Sequence, residues 1–289
     1  MTPDEYCQEK TASSKSSFYY SFLFLTDEKR KAITALYAFC REVDDVVDEC
    51  KDTNIARTKL QWWRDEIERL YNDTPQHPVT RALAQYKDIF SLNKEYFQEI
   101  INGMEMDLEH STYPTFEELK LYCYRVASVV GLLVVPILGY QDPRTLKYAK
   151  DLGIAFQLTN ILRDVREDAT RGRIYMPLDE LNRFSVTPED IFQNRSTNNT
   201  TDLFRFQAQR AHEYYNQAFA ELPDVDRYQQ RIGLIMAAVY LATLKEIEKR
   251  NFHILEQRIS LPMSKKLWIA WNAARKEKLR FHKMKSVSV

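Results

Sequence analysis

The stretch Phe156–Pro177 reads FQLTNILRDVREDATRGRIYMP. Set on a helix, Gln157, Asn160, Asp164 and Asp168 recur at three- and four-residue steps and form one polar stripe. Leu158, Ile161, Leu162 and Val165 recur in the same way and form an apolar stripe, with Phe156 beside them. A solvent-facing helix mixes Lys and Glu on its polar side. This one carries carboxylates and amides, the donor chemistry of a hard-cation site. An acid pair four apart says little by itself, but Asp44 and Asp48 repeat it more than a hundred residues earlier, in REVDDVVDE.

On each helix the two acids project from one face, offset by about 40°. Two such faces turned toward one another across a bundle would gather at least four carboxylates. Bare, each close pair is repulsive by roughly 4 kcal/mol at an effective dielectric near 20. Mg²⁺, which prefers a few carboxylates, water and substrate phosphate oxygens, removes that penalty. The plain alternative is two solvated faces, with Arg41 and Arg163 as ordinary ion-pair partners. The repeat favours a metal–diphosphate site, because both pairs sit on strongly apolar helices and bring Arg and Asn with them. Arg171 and Arg173 then follow in a Gly-containing turn, where guanidinium groups would hold a departing diphosphate.

The composition narrows the rest. A chain of 289 residues is long enough to bury a real core, and 41 basic residues balance 41 acidic ones, which argues against a nucleic-acid partner. Glycine occurs only six times, with neither GxGxxG nor Walker-A spacing, so phosphate would be bound through metal or basic side chains. Cys7, Cys40, Cys50 and Cys123 have no CxxC spacing and read as reduced packing thiols, and the histidines form no zinc pattern. The longest apolar run, Val126–Tyr140, is interrupted by Ser128 and Pro136 and falls short of the ~20 residues a bilayer span needs. With no secretion signal or anchor evident, the expectation is a cytoplasmic chain with at most peripheral membrane contact.

Helical periodicity runs throughout, and no strand-like alternation stands out. Thr26 with Asp27 and Glu28 opens a helix to about Glu49, and a second runs from Arg57 to Tyr71. Pro75 and Pro78 break it, and a shorter helix follows through Tyr86 to Phe90. Further helices are expected over Lys94–Glu109, from Thr115 to near Leu138, and from Asp142-Pro143 through the central stretch. Thr187-Pro188-Glu189-Asp190 is another helix start. Arg195–Thr201 (RSTNNTT) reads as a linker or loop, before long helices over Asp202–Glu221, Asp224–Asn251 and Ser264 to about Lys283. The fold class is all-α, one bundle spanning residues 1–289 as a single domain.

At these residues the chain resembles the squalene and phytoene synthase family of head-to-head prenyl transferases. The matching pieces are YAFCREVDDVVDE (Tyr37–Glu49), YCYRVASVVG (Tyr122–Gly131) and NILRDVREDATRGRIYMP (Asn160–Pro177), with SSFYYSF near the N-terminus and GMEMDLEH before the third. They cover nearly the whole chain in order. Within the family the wording of SSFYYSFLFL, CREVDDVVDE, WWRDEIERLY and GMEMDL is most similar to bacterial presqualene diphosphate synthases of hopanoid pathways.

The resemblance implies an isoprenoid-synthase bundle around a deep central cavity with metal-bound diphosphates at its mouth. Asp44, Asp48, Asp164 and Asp168 would hold Mg²⁺, or Mn²⁺ in its place, assisted by Asn160. Arg41, Arg163, Arg173, Gln157 and Ser17 would contact substrate or orient the acids. Tyr37, Tyr122, Tyr175 and Tyr240 would be cavity-side tyrosines, with core packing as their plain alternative; Tyr175 joins the catalytic set. Lys15 and Ser16 depart from the polar pattern of some relatives. The implied reaction is condensation of two farnesyl diphosphates to presqualene diphosphate, with no NADPH. The alternatives are a phytoene or dehydrosqualene synthase, an NADPH-dependent squalene synthase, or a non-enzymatic scaffold of the same fold. The substrate's length and the oligomeric state stay open.

Overall fold

The structure, a computed structural model, describes residues 1–13, 22, 25–50 and 52–287. Ser17, Lys15 and Ser16 lie outside the described residues. Two helices near the N-terminus, α1 (Pro3–Ser13) and α2 (Asp27–Glu49), pack together, and α1 was not foreshadowed by the polar composition of its segment. Asp27 and Glu28 oppose the dipole in the first turn of α2. The next helix, α3 (Thr53–Tyr71), begins before the expected Arg57, because the Asp52 side chain accepts from the backbone N–H groups of Asn54 and Ile55.

After it come α4 (Pro78–Leu83) and α5 (Lys94–Glu109), the latter capped by Asn93. The expected helix through Tyr86–Phe90 is a series of turns; the helical residues are those just after Pro78, which sits at the first helical position. A continuous helical rod follows: α6 (Phe116–Cys123), a π-helical turn over Tyr124–Ser128, and α7 (Val129–Leu138). The rod is longer than the apolar run within it, and by length and composition it would pass for a membrane span. It is instead an inner wall. Val126, Val130 and Val134, only partly buried, line an internal hollow.

The central helix is α8 (Arg144–Thr170). Its start is fixed by the buried Asp226 carboxylate, which accepts from the backbone N–H groups of Gln141 and Asp142 and from the Thr145 hydroxyl. Short helices α9 (Leu178–Arg183) and α10 (Pro188–Phe192) lead to α11 (Asn198–Glu221), which packs along α8. The segment 195–201 is therefore no linker. Thr197 and Thr200 form a reciprocal cap, and Asn198–Thr201 are the first turn of α11. The helix expected over Asp224–Asn251 is two: α12 (Asp224–Arg227) and α13 (Arg231–Lys249), separated by a turn at 228–230. The last helix, α14, covers Met263–Val287.

Among the described residues the only strand-type pairing is an isolated bridge between Thr112 and Ile174, so the all-α reading holds. One apolar cluster joins α8 to α11 and the residues after Phe252; another joins α2, α3 and α5 to α7. The hollow lies between them.

Two glycines bring the walls of that hollow together. A Cβ on Gly153 of α8 would stand 2.5 Å from Ser128 Cα, and one on Gly103 of α5 would stand 2.7 Å from Val126 Cγ1. Both neighbours belong to the π-helical turn. Gly153→Ala is expected to cost about 1–3 kcal/mol through overpacking, read as a lower urea midpoint. An unchanged midpoint would contradict this close approach.

Candidate active site

Helical spacing sets which side chains meet in the hollow. From α2 come Tyr37, Cys40, Arg41, Asp44 and Asp48; from α8 come Gln157, Asn160, Ile161, Arg163, Asp164 and Asp168. Met104 and Asp107 on α5, Tyr122 and Val126 on the rod, and Val239, Tyr240 and Thr243 on α13 add to the walls, with Arg171, Arg173 and Tyr175 just beyond α8 and Arg258, Ser260, Leu261 and Lys266 before and at the start of α14. They line a polar cavity of about 740 Å³. A second, apolar cavity of about 230 Å³ continues inward between α2, α7, α8 and α13. Tyr37, Val126, Gln157, Asn160 and Tyr240 border both, so the two form one space with a charged mouth and an oily floor. Every site residue expected from sequence, Ser17 apart, therefore reaches this one space.

The acids face each other, but they do not cluster as the bare spacing suggested. Arginines stand among them. Arg41 bonds Asp44 and Asp45, Arg163 bonds Asp164, and Arg258 reaches Asp164 at 2.7 Å. Arg171 (3.0 Å) and Arg173 (3.5 Å) cross from the α8 side to Asp48 on α2. Burial still dominates the electrostatics. It pushes the Asp44 carboxyl up to about 6 against the pull of Arg41, with Asp48, Asp45 and Asp107 adding to the rise. It pushes Asp168 up to about 7, reinforced by Asp164 and Asp107 and opposed by Arg171 and Arg173.

A divalent cation suits this donor set. Asp168 forms no ion pair among the described residues, and the buried Asn160 Oδ1 has no hydrogen-bond partner. Carboxylate and amide oxygens are hard-cation donors. The same residues are not pre-assembled: no three Asp, Glu, His or Cys side chains among the described residues converge closely enough to hold an ion as they stand. The arginines that now neutralise the acids are also natural partners for a diphosphate.

Asp107 was not singled out by its sequence. Tyr175 donates to its Oδ1 (2.7 Å) and Tyr122 to its Oδ2 (2.9 Å), and the two rings stack at 5.1 Å. Burial raises both phenols well above their ordinary range, and Asp107 adds to it. Burial also raises Asp107, against the nearby Arg173 and the two phenols. One signal was available: Asp107 continues the apolar face Phe97, Ile100, Met104 at helical steps, where an acid has no packing reason to be. Arg258 was missed as well, since the irregular segment before α14 carries no periodicity, and so was Lys266, which reads as one of the many surface lysines of α14.

The sequence profile described as squalene/phytoene synthase matches residues 11–265. A phytoene synthase of Arthrospira platensis is 38% identical over 280 residues, 91% of this chain and 89% of that one. A 15-cis-phytoene synthase of Synechocystis is 34% identical over 92% of this chain and 84% of the relative. Among solved structures, a dehydrosqualene synthase in complex with ligand superposes with a TM-score of 0.82 at 27% identity, covering 96% of each chain. The squalene synthase HpnC from Alicyclobacillus acidocaldarius gives 0.77 at 28%, over 86% of this chain and 94% of that one. The bundle and its acid-lined hollow are thus those of a prenyltransferase fold. The chain belongs to the squalene/phytoene synthase family, whose reaction is head-to-head prenyl transfer.

Replacing Asp107 by Ala orphans two buried hydroxyls, at about 1–3 kcal/mol each. The urea midpoint is expected to fall clearly, and Asp107→Asn, which keeps an oxygen acceptor, is expected to fall less. An Ala variant as stable as the parent would contradict this network.

Proposed function

We propose that the chain joins two twenty-carbon prenyl diphosphates head to head into a forty-carbon hydrocarbon, the reaction type of a phytoene synthase. One observation carries the reading: relatives named phytoene synthase align over nine-tenths of the chain, at up to 38% identity among those compared. They support the phytoene alternative better than the first expectation, a presqualene diphosphate synthase of a hopanoid pathway. The fifteen-carbon reading keeps one support, the likeness to the dehydrosqualene synthase and HpnC structures. A scaffold role is disfavoured, since all four aspartates are present and face one space.

In this reading Asp44, Asp48, Asp164 and Asp168, with Asn160, hold Mg²⁺ at the mouth. When bound, Mg²⁺ neutralises diphosphate oxygens as a Lewis acid and makes diphosphate a good leaving group. Arg41, Arg163, Arg171, Arg173 and Arg258 exchange their carboxylate partners for phosphate oxygens and orient both substrates. Ionisation of one substrate gives an allylic cation, the double bond of the second attacks it, and a proton leaves as a cyclopropane closes. Loss of the second diphosphate leaves a cation that rearranges and loses a second proton to give the neutral hydrocarbon. The apolar floor excludes water from the cations, and the faces of Tyr37, Tyr122, Tyr175 and Tyr240 stabilise them. The hydrogen bonds to Asp107 hold the Tyr122 and Tyr175 hydroxyls in place at the cavity wall.

Incubation with Mg²⁺ and either farnesyl or geranylgeranyl diphosphate, with and without NADPH, tests the reading by product mass. A forty-carbon hydrocarbon from geranylgeranyl diphosphate without NADPH is expected. A thirty-carbon diphosphate from farnesyl diphosphate as the sole product would restore the presqualene reading. Asp164→Asn is expected to lower turnover on the order of a hundredfold or more while far-UV circular dichroism stays unchanged. Full activity in that variant would remove Asp164 from the machinery.

A further inference from the structure

The last helix has a surface that the reaction does not use. Along α14, Trp268, Trp271, Arg275 and Leu279 fall on one stripe at three- and four-residue steps, and they point away from the bundle. Trp268 is 63% and Trp271 55% exposed, although such residues normally bury their area in a core or an interface. The opposite face, with Ala270, Ala273 and Ala274, packs on the bundle, so the outward tryptophans are not the result of a detached helix.

The charge of the helix is as uneven as its exposure. Residues 263–287 hold eight Lys or Arg and one acid, in a chain whose charges balance over its whole length. That acid, Glu277, is turned inward to Arg227. Arg275, Lys276, Lys278 and Lys283 form no ion pair among the described residues. Arg275 lies over the Trp271 ring, 5.6 Å from its centroid. The helix also starts at the mouth of the cavity, whose lining includes Leu261 and Lys266.

We propose that α14 docks this protein on an anionic lipid bilayer, with Trp268, Trp271 and Leu279 in the headgroup layer and the lysines against the lipid phosphates. A lysine-rich polar side with tryptophan and leucine on the exposed stripe is the composition of a helix that lies in a membrane interface. Aromatic rings of this amphipathic kind settle at headgroup depth. Protein interfaces are depleted in lysine, and a symmetric contact between two copies would set these positive faces against each other. Docking in this pose would bring the cavity mouth close to the bilayer surface. The claim stands on the surface alone, whichever prenyl chain the cavity takes.

Vesicle co-sedimentation of the full chain tests it, with phosphatidylcholine vesicles compared with an equal mixture of phosphatidylglycerol and phosphatidylcholine. Binding is expected to the mixed vesicles and to be much weaker on phosphatidylcholine alone. Reversing Lys276, Lys278 and Lys283 to Glu is expected to weaken binding on the order of a hundredfold or more. Trp268→Ser with Trp271→Ser is expected to weaken it markedly, while turnover of detergent-dispersed substrate and the circular dichroism spectrum stay unchanged. Indifference to lipid charge would overturn the proposal. So would binding unaffected by the tryptophan change, which would mark a bare polyanion patch. A monomer–dimer shift in sedimentation velocity caused by the tryptophan change, without effect on vesicle binding, would assign the face to a second copy instead.

Discussion

Carboxylates that face one another in a half-buried hollow are an electrostatic liability, and the centre of this bundle is built around containing it. Asp44 and Asp48 on α2 look across at Asp164 and Asp168 on α8, and burial raises Asp44 and Asp168 far above ordinary aspartates. Replacing such groups with packed apolar residues would commonly be neutral or stabilising. Their presence therefore points to a ligand. The guanidinium groups of Arg41, Arg163, Arg171, Arg173 and Arg258 contain the repulsion in the free protein. They are also side chains well suited to diphosphate, so under the proposed function the same charges would serve the empty and the loaded states.

The apolar part of the space depends on tight helix packing. Gly103 and Gly153 let α5 and α8 close on the π-helical turn between α6 and α7. A π-helical turn of this kind shifts the facing of the residues beyond it and is frequent at functional sites. Here Val126 and Ala127 lie within it and border the apolar floor. The long apolar rod, which composition alone would send into a membrane, is stabilised instead by these neighbours and by the hollow it lines.

Much of this was legible in the sequence because helical periodicity sorts residues by face. The stripe Gln157–Asn160–Asp164–Asp168 and its echo at Asp44 and Asp48 placed both acid walls, and cap chemistry placed most helix starts. The failures have physical causes. RSTNNTT has a loop's composition, yet in Thr197 and Thr200 it carries the reciprocal cap that starts α11. The break at 228–230 has no proline or glycine to announce it. Asp107 was hidden because its partners, Tyr122 and Tyr175, are distant in the chain, and Arg258 because it lies on an aperiodic segment. Arg41, Arg163, Arg171 and Arg173 were visible one by one, but the crossing of Arg171 and Arg173 to Asp48 is a tertiary fact.

The central claim is that acids and arginines together form a cation-dependent diphosphate site. Titration calorimetry of inorganic diphosphate into the full chain, with and without Mg²⁺, measures it directly. The account predicts tight binding with Mg²⁺, a large loss without it, and a comparable loss in Asp48→Asn and Asp168→Asn. Equal affinity with and without Mg²⁺, or binding indifferent to both substitutions, would contradict it.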